Sequence, residues 1–140
     1  VSEFELHLSR EEMQGITERT RTSWSSDSLK VLVCKNDTVT VGYGFVDDVK
    51  GKVQLITYLT TVTPGGVVVD VDVLAYRETY GGEIQYESFR KQFRNKTVES
   101  ALQPGKDIRN ISGATISVRS ITFGVKRIVA TFELIRKRLP

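Results

Sequence analysis

The chain has 140 residues, 39% hydrophobic and 26% charged, enough for one packed core and too few for two comfortable domains, so a single domain over residues 1–140 is expected. Its 20 Lys+Arg against 17 Asp+Glu leave a net charge of +3, and Arg90, Lys91, Arg94, Lys96 and the basic tail are not interleaved with stacking aromatics, so no nucleic-acid reading follows. The single cysteine, Cys34, excludes disulfides, CxxC redox chemistry and cysteine-based zinc sites within one chain.

The lone histidine, His7, lies in a polar and apolar mix with no motif around it, and a surface or strand position is expected. Ser9-Arg10-Glu11-Glu12 is a capping-box pattern, and Met13 and Ile16 extend it into a short amphipathic helix to about Arg21. A Ser-rich connector, Ser23 to Ser28, contains Trp24, an aromatic that either packs in the core or covers a flat ligand.

Four strands follow. Leu29 to Lys35 is an apolar run in which Cys34 reads as a small buried side chain. Asn36-Asp37 turns into Val39–Phe45, where Val39, Val41, Tyr43 and Phe45 alternate with Thr38, Thr40, Gly42 and Gly44. A second turn spans Asp48 to Lys52, Val53 to Thr63 is rich in β-branched residues, Pro64-Gly65-Gly66 turns again, and Val67 to Tyr76 completes an antiparallel meander. Asp70 and Asp72 alternate with valines and read as the solvent side of the sheet. Gly42 and Gly44 leave one strand face bare, which a helix or a ligand must cover.

Arg77 to Glu83 is a charged loop with adjacent glycines. Ile84 to Lys96 then places Tyr86, Phe89 and Phe93 at helical spacing, predicting a helix whose aromatics pack on the sheet. Thr97 to Lys106 is a polar connector. Ile111-Ser112-Gly113-Ala114-Thr115-Ile116-Ser117 is a run of small and hydroxyl residues opening into the longest amphipathic segment, with Val118, Ile121, Val125, Ile128, Val129, Phe132 and Ile135 on one face. The helix is expected from near Ser117, an N-cap residue type, to about Arg136, with Lys126, Arg127, Arg136, Lys137 and Arg138 in its later turns. Free N–H groups at its start, beside Gly113 and Ala114, can take a phosphate; the same residues also suit a plain turn and cap. The pattern as a whole predicts an α+β domain, an antiparallel meander of about four strands against helices.

Ser112-Gly113-Ala114-Thr115-Ile116-Ser117 resembles the flavinylation motif of FMN-binding domains, found in sodium-pumping and Rnf-type respiratory complexes and in NosR-like membrane proteins. Glu78-Thr79-Tyr80-Gly81-Gly82-Glu83-Ile84 resembles the Glu-Thr-Pro-Gly-Leu-Gly loop of that family, Phe89 to Phe93 its Phe-x-x-x-Phe segment, and Val41-Gly42-Tyr43-Gly44 its Gly-Tyr strand. The resemblance covers roughly Lys30 to Phe132. It implies an electron-transfer domain with FMN on Thr115 as a phosphoester made by a flavin transferase, on the outer side of the cytoplasmic membrane beside a membrane redox partner. It further implies Ser112 and Ser117 as hydroxyl partners, Gly113 and Ala114 as close-approach backbone, and Glu78, Thr79, Gly81 and Gly82 beside the flavin ring. Trp24, Tyr43, Tyr80 and the glycine face are expected walls of its slot. Two positions depart from the family pattern: Arg109 stands where an Asp is usual, three residues before Ser112, with Asp107 the nearest acid, and Tyr80 replaces the loop proline. Arg109 allows the alternative of FMN, or another phosphate ligand, held without a covalent bond by a sensory or interaction module. No stretch approaches the roughly 18 apolar residues of a membrane span, and no signal peptide starts at Val1. Because the chain lacks an initiator Met, it is expected to be a domain cut from a longer, membrane-associated protein.

Overall fold

The computed structural model describes residues Val1–Pro140. Five strands form one antiparallel sheet in the order β1-β2-β3-β4-β5, so every strand pairs with its neighbour in sequence: β1 Ser2–His7, β2 Ser28–Asn36, β3 Val39–Lys50, β4 Leu55–Val62 and β5 Val68–Tyr76. The four expected strands are present, and β1 is an addition. Its sequence, SEFELH, buries only Leu6 and is charged at Glu3 and Glu5, so it lacks an apolar run of its own and pairs instead as an edge on β2, Phe4 opposite Val31. His7 ends this strand.

Helix α1, Arg10–Thr20, has the expected capping box: Ser9 Oγ accepts from Glu12 N–H at 3.1 Å, and Glu12 Oε1 accepts from Ser9 N–H at 2.8 Å. Helix α3, Thr115–Ile135, lies against the inner sheet face, and all seven residues of its expected apolar stripe are buried. Phe132 sits between Tyr43 and Phe45, with ring centroids 5.4 and 6.2 Å away. Fully burying each such side chain is worth roughly 1.5–3 kcal/mol, which outweighs the weak helix propensity of a segment rich in Val, Ile, Thr and Phe.

The helix starts two residues before the expected position. Ser117 is therefore a buried first-turn residue, and the cap position falls on Ala114, which makes no side-chain cap bond. Arg127, one of the cations expected in the later turns, is buried: it is 7% exposed, donates to Asp47 Oδ2 at 2.7 Å and stacks 4.5 Å from the Trp24 ring centroid. Asp47 in turn accepts from Tyr58 Oη at 2.7 Å, and burial, reinforced by the Asp47 charge, keeps that phenol protonated by raising its pKa.

The expected helix over Ile84–Lys96 is instead a 3₁₀ turn Gly82–Gln85, the single helical turn α2 Glu87–Arg90, and a 3₁₀ turn Lys91–Phe93. Phe89 and Phe93 are buried edge to face, 5.4 Å apart, whereas Tyr86 is exposed. The segment stays broken because its backbone closes the free edge of β5. Asn95 N–H donates to Val68 C=O and Val68 N–H to Lys96 C=O, both at 2.9 Å. Arg90 reaches Val71 C=O and Asp72, and Arg94 reaches Asp70, so the two aspartates face arginines rather than bare solvent.

Cys34 lies opposite Gly42 on the outer face and is half-buried, not buried. At Gly44 the bare strand needs neither helix nor ligand: a Cβ there would touch Leu59 Cδ1 at 3.1 Å and Leu32 Cβ at 3.4 Å, so leucines of the flanking strands already lean over it, and a Cβ at Gly42 would stand 3.2 Å from the Val62 carbonyl oxygen.

Candidate functional site

The end of the sheet where β5 runs out meets the start of α3. Residues 111–114 form a turn closed by Ala114 N–H donating to Ile111 C=O at 2.9 Å. Gly113, third in that turn, has φ +85°, the value a type II turn requires there. An added Cβ at Gly113 would meet nothing within 4 Å, so the backbone is open to the cleft above it. Facing it, Gly81 has φ +82°, and a Cβ there would lie 2.6 Å from Tyr76 Oη and 3.5 Å from Ala114 Cβ. Only glycine lets the loop close this tightly on the helix start. Tyr76 Oη fixes the same loop by donating to Tyr80 C=O.

Between loop and helix lies a cleft of about 530 Å³ lined by Lys52, Tyr76, Glu78, Thr79, Tyr80 and Gly81 on one side and Gly113 to Ser117 on the other. A smaller adjoining groove adds Gly82 and Ser112. The structure thus gathers Thr115, Gly113, Ala114, Ser117, Glu78, Thr79 and Gly81 in one cleft, with Ser112 and Gly82 beside it. Of the expected walls, Tyr80 is present and 83% exposed. Tyr43 and Trp24 are elsewhere: Tyr43 Oη donates to Pro140 C=O at 2.7 Å, and Trp24 Nε1 donates to Thr131 at 2.9 Å, in both cases because the aromatic is packed against the far half of α3.

Glu78 turns out to hold the cleft together. Its Oε1 accepts from Val53 N–H at 2.6 Å and Gln54 N–H at 2.7 Å, which pins the β3–β4 turn to the loop and brings Lys52 to the rim. These two backbone bonds, with help from the Lys52 charge, hold its carboxyl below the usual range. Gly51 leaves the space for this, since a Cβ there would stand 3.0 Å from Glu78 Oε1.

The N–H groups of Thr115, Ile116 and Ser117 have no acceptor in the protein, and the first backbone bond of the helix is Val118 N–H to Ala114 C=O at 2.9 Å. Free N–H groups at a helix start are suited to an anion. Thr115 is exposed, and its Oγ1 accepts from Asn110 Nδ2 at 3.2 Å. Asp107, the nearest acid in sequence, is committed elsewhere. Burial pushes its carboxyl up, but the N–H groups of Gln103 and Leu102 and the Lys96 ammonium together bring it below the usual range. Sequence reasoning missed Lys52, Tyr76, Ile116 and Asn110. The first two depend on sheet register, whereas Asn110, an amide directly before a glycine turn, carried a local signal.

A phosphorylated flat ligand fits these residues on the structure's own terms: unpartnered N–H groups, a lysine at the rim, a glycine backbone with open space above it, and exposed Tyr80 and Ile116. Residues 44–130 match the family described as FMN-binding domain. The chain is 35% identical over 97 residues to a component protein of the proton-translocating ferredoxin:NAD(+) oxidoreductase complex of Clostridium ljungdahlii, covering 64% of this chain and 52% of that protein. It therefore spans about half the length of that relative. Among solved structures, the crystal structure of Shewanella oneidensis NqrC aligns over 86% of this chain and 64% of that one with a TM-score of 0.62 at 15% identity, a likeness of fold.

Proposed function

The chain belongs to the FMN-binding domain family, and from that premise we propose that it is a flavin-carrying electron-transfer domain with FMN joined to Thr115 by a phosphoester. FMN is the cofactor of the family, and the relationship to a component of an oxidoreductase complex supports a role in electron transfer. When bound, the flavin supplies the redox chemistry. The residues hold and orient it. The free N–H groups of Thr115, Ile116 and Ser117 would take the phosphate, where the helix end contributes roughly 0.3–2 kcal/mol. Lys52 would add a cation. Glu78, Thr79, Gly81 and Gly82 would border the ring, Gly113 and Ala114 would admit it closely, and Ser112 and Ser117 would supply hydroxyls.

The observation carrying this reading is the convergence of the Glu78–Gly81 loop and Thr115 on one cleft although Thr115 comes 34 positions after Gly81 in sequence. In this proposal residues 1–140 are one domain of a longer protein. A flavin transferase makes the bond, and the partner is a membrane redox assembly on the outer side of the cytoplasmic membrane. No helix is long and apolar enough to cross a membrane, so attachment would come through parts outside this chain.

The test is co-expression with a flavin transferase and intact mass measurement. Wild type should gain FMN less one water, and Thr115→Ala should stay at its unmodified mass while folding normally. Arg109 favours the second reading, FMN held without a covalent bond. A wild-type chain that remains unmodified yet binds added FMN reversibly would establish that reading instead.

A further inference from the structure

We infer that Asn110 is a positioning residue for the modification of Thr115, holding its hydroxyl oxygen in one orientation with the proton left free. This rests on the proposal that Thr115 carries FMN. No carboxylate hydrogen-bonds the threonine: Arg109 occupies the usual acid position, Asp107 is engaged by Leu102 and Gln103 N–H groups at 2.9 and 2.8 Å, and Glu78 across the cleft is engaged by Val53 and Gln54 N–H groups. The group that does touch Thr115 is the Asn110 amide, 3.2 Å from Oγ1.

Thr115 needs such a partner. It is the first residue of α3, its hydroxyl takes no part in capping, and a helical threonine otherwise divides between two χ1 rotamers. Asn110 is itself anchored on both sides. Before it, Arg109 N–H donates to Gln92 Oε1 at 2.7 Å and Ile108 is buried; after it, the Ile111–Ala114 turn is closed by its backbone bond. The two ends of the Gly113 turn are thus tied twice, once through backbone and once through Asn110 and Thr115.

A hydroxyl has one proton and two lone pairs. The Asn110 N–H occupies one lone pair, leaving the proton and the other lone pair for reaction, and a donor on the oxygen favours its deprotonated form. In the transfer, the Oγ1–phosphorus bond forms and the phosphorus–oxygen bond of an activated, pyrophosphate-linked FMN donor breaks. The nucleotide leaves with the bridging oxygen, and the hydroxyl proton passes to the transferase. A neutral amide cannot accept that proton. Asn110 orients and polarises, and the base belongs to the partner.

The experiment compares wild type, Asn110→Ala and Asn110→Asp, first as apo protein by NMR couplings reporting Thr115 χ1, then by the initial rate of mass gain with transferase and flavin dinucleotide across pH. Asn110 is exposed, so the variants keep the fold. Asn110→Ala should show averaged Thr115 couplings, a rate lowered about five- to tenfold, the size of one lost hydrogen bond, and a rising pH limb displaced upward. Asn110→Asp, which can only accept from Thr115, should also be slow. Wild-type rate, pH profile and couplings in Asn110→Ala would overturn the inference while leaving attachment standing, as would an Asn110→Asp variant at wild-type rate. A wild type that is never modified would remove the attachment reading and this inference with it.

Discussion

At Glu78 a single carboxylate oxygen holds two backbone N–H groups of the neighbouring hairpin, so its charge works for the shape of the cleft rather than for acid–base chemistry. Its pKa lies below the ordinary value in the folded state. A depressed folded pKa contributes stability that is complete above the unfolded value, about 4.3, and is lost as pH falls through the folded one. Asp107 is shifted the same way. Glu78→Gln should therefore melt below wild type at pH 7 and approach it as pH falls through the folded pKa of Glu78, below which both side chains are neutral; a gap independent of pH would count against the charge as the cause. Gly113→Ala is the cleaner probe of the opposite jaw. The added methyl meets no protein atom but must adopt φ +85°, so apo stability should fall by roughly 1–2 kcal/mol. Because that methyl projects into the cleft, the yield of flavin attachment should fall further than the melting curve alone accounts for. Gly81→Val is less discriminating, since Tyr76 and Ala114 already fill the space.

Helix α3 joins the site to the core, and its buried face contains one residue without a side chain. Gly124 faces Tyr58, and an added Cβ would collide with Tyr58 Oη, stand 2.9 Å from its Cζ and 3.1 Å from Val49 Cγ1. Elsewhere in a helix, Gly→Ala gains close to 1 kcal/mol in propensity; here overpacking of roughly 1–3 kcal/mol wins. Gly124→Ala should lower the apo melting temperature, and adding Tyr58→Phe should recover part of the loss, which thermal melts of the two variants can read. The apolar period of this helix was legible in sequence, as were the capping box of α1, the meander and the loop and helix motifs of the site. The helix start was not, because Ser117 has the chemistry of a cap but the position of a buried residue, and its place was decided by the turn at Gly113. The break in the Gly82–Phe93 segment was equally hidden. Its Phe spacing is helical, but closing the edge of β5 requires a free backbone, which local pattern does not record.

Across the whole molecule, the sheet is attached to α3 by an ion pair as well as by apolar packing. Asp47 and Arg127 have side chains only 13% and 9% exposed; Tyr58 donates to Asp47, while Arg127 donates to Thr22 and stacks on Trp24. Asp47→Ala would strand the guanidinium, with an expected loss of about 3–5 kcal/mol in denaturant unfolding of the apo chain. None of this was visible in the sequence, where Arg127 reads as one more cation in the later turns of the last helix; only the 80-residue separation closed by the fold reveals its partner.

The order of the strands bears on how the cleft comes into being. From β2 to β5 each strand finds its partner one turn away along the chain, and only β1 is set apart from its partner by α1, so the four-stranded part needs little loop closure and can form early. The contact between Gly81 and Ala114 joins the two ends of a long excursion that contains no helix beyond a single turn. That junction should assemble last and open first. In the apo chain, amide hydrogens of residues 79–86 and 109–117 should then exchange by local opening well before those of β3 and β4, and a ligand bridging both jaws should slow the two segments together.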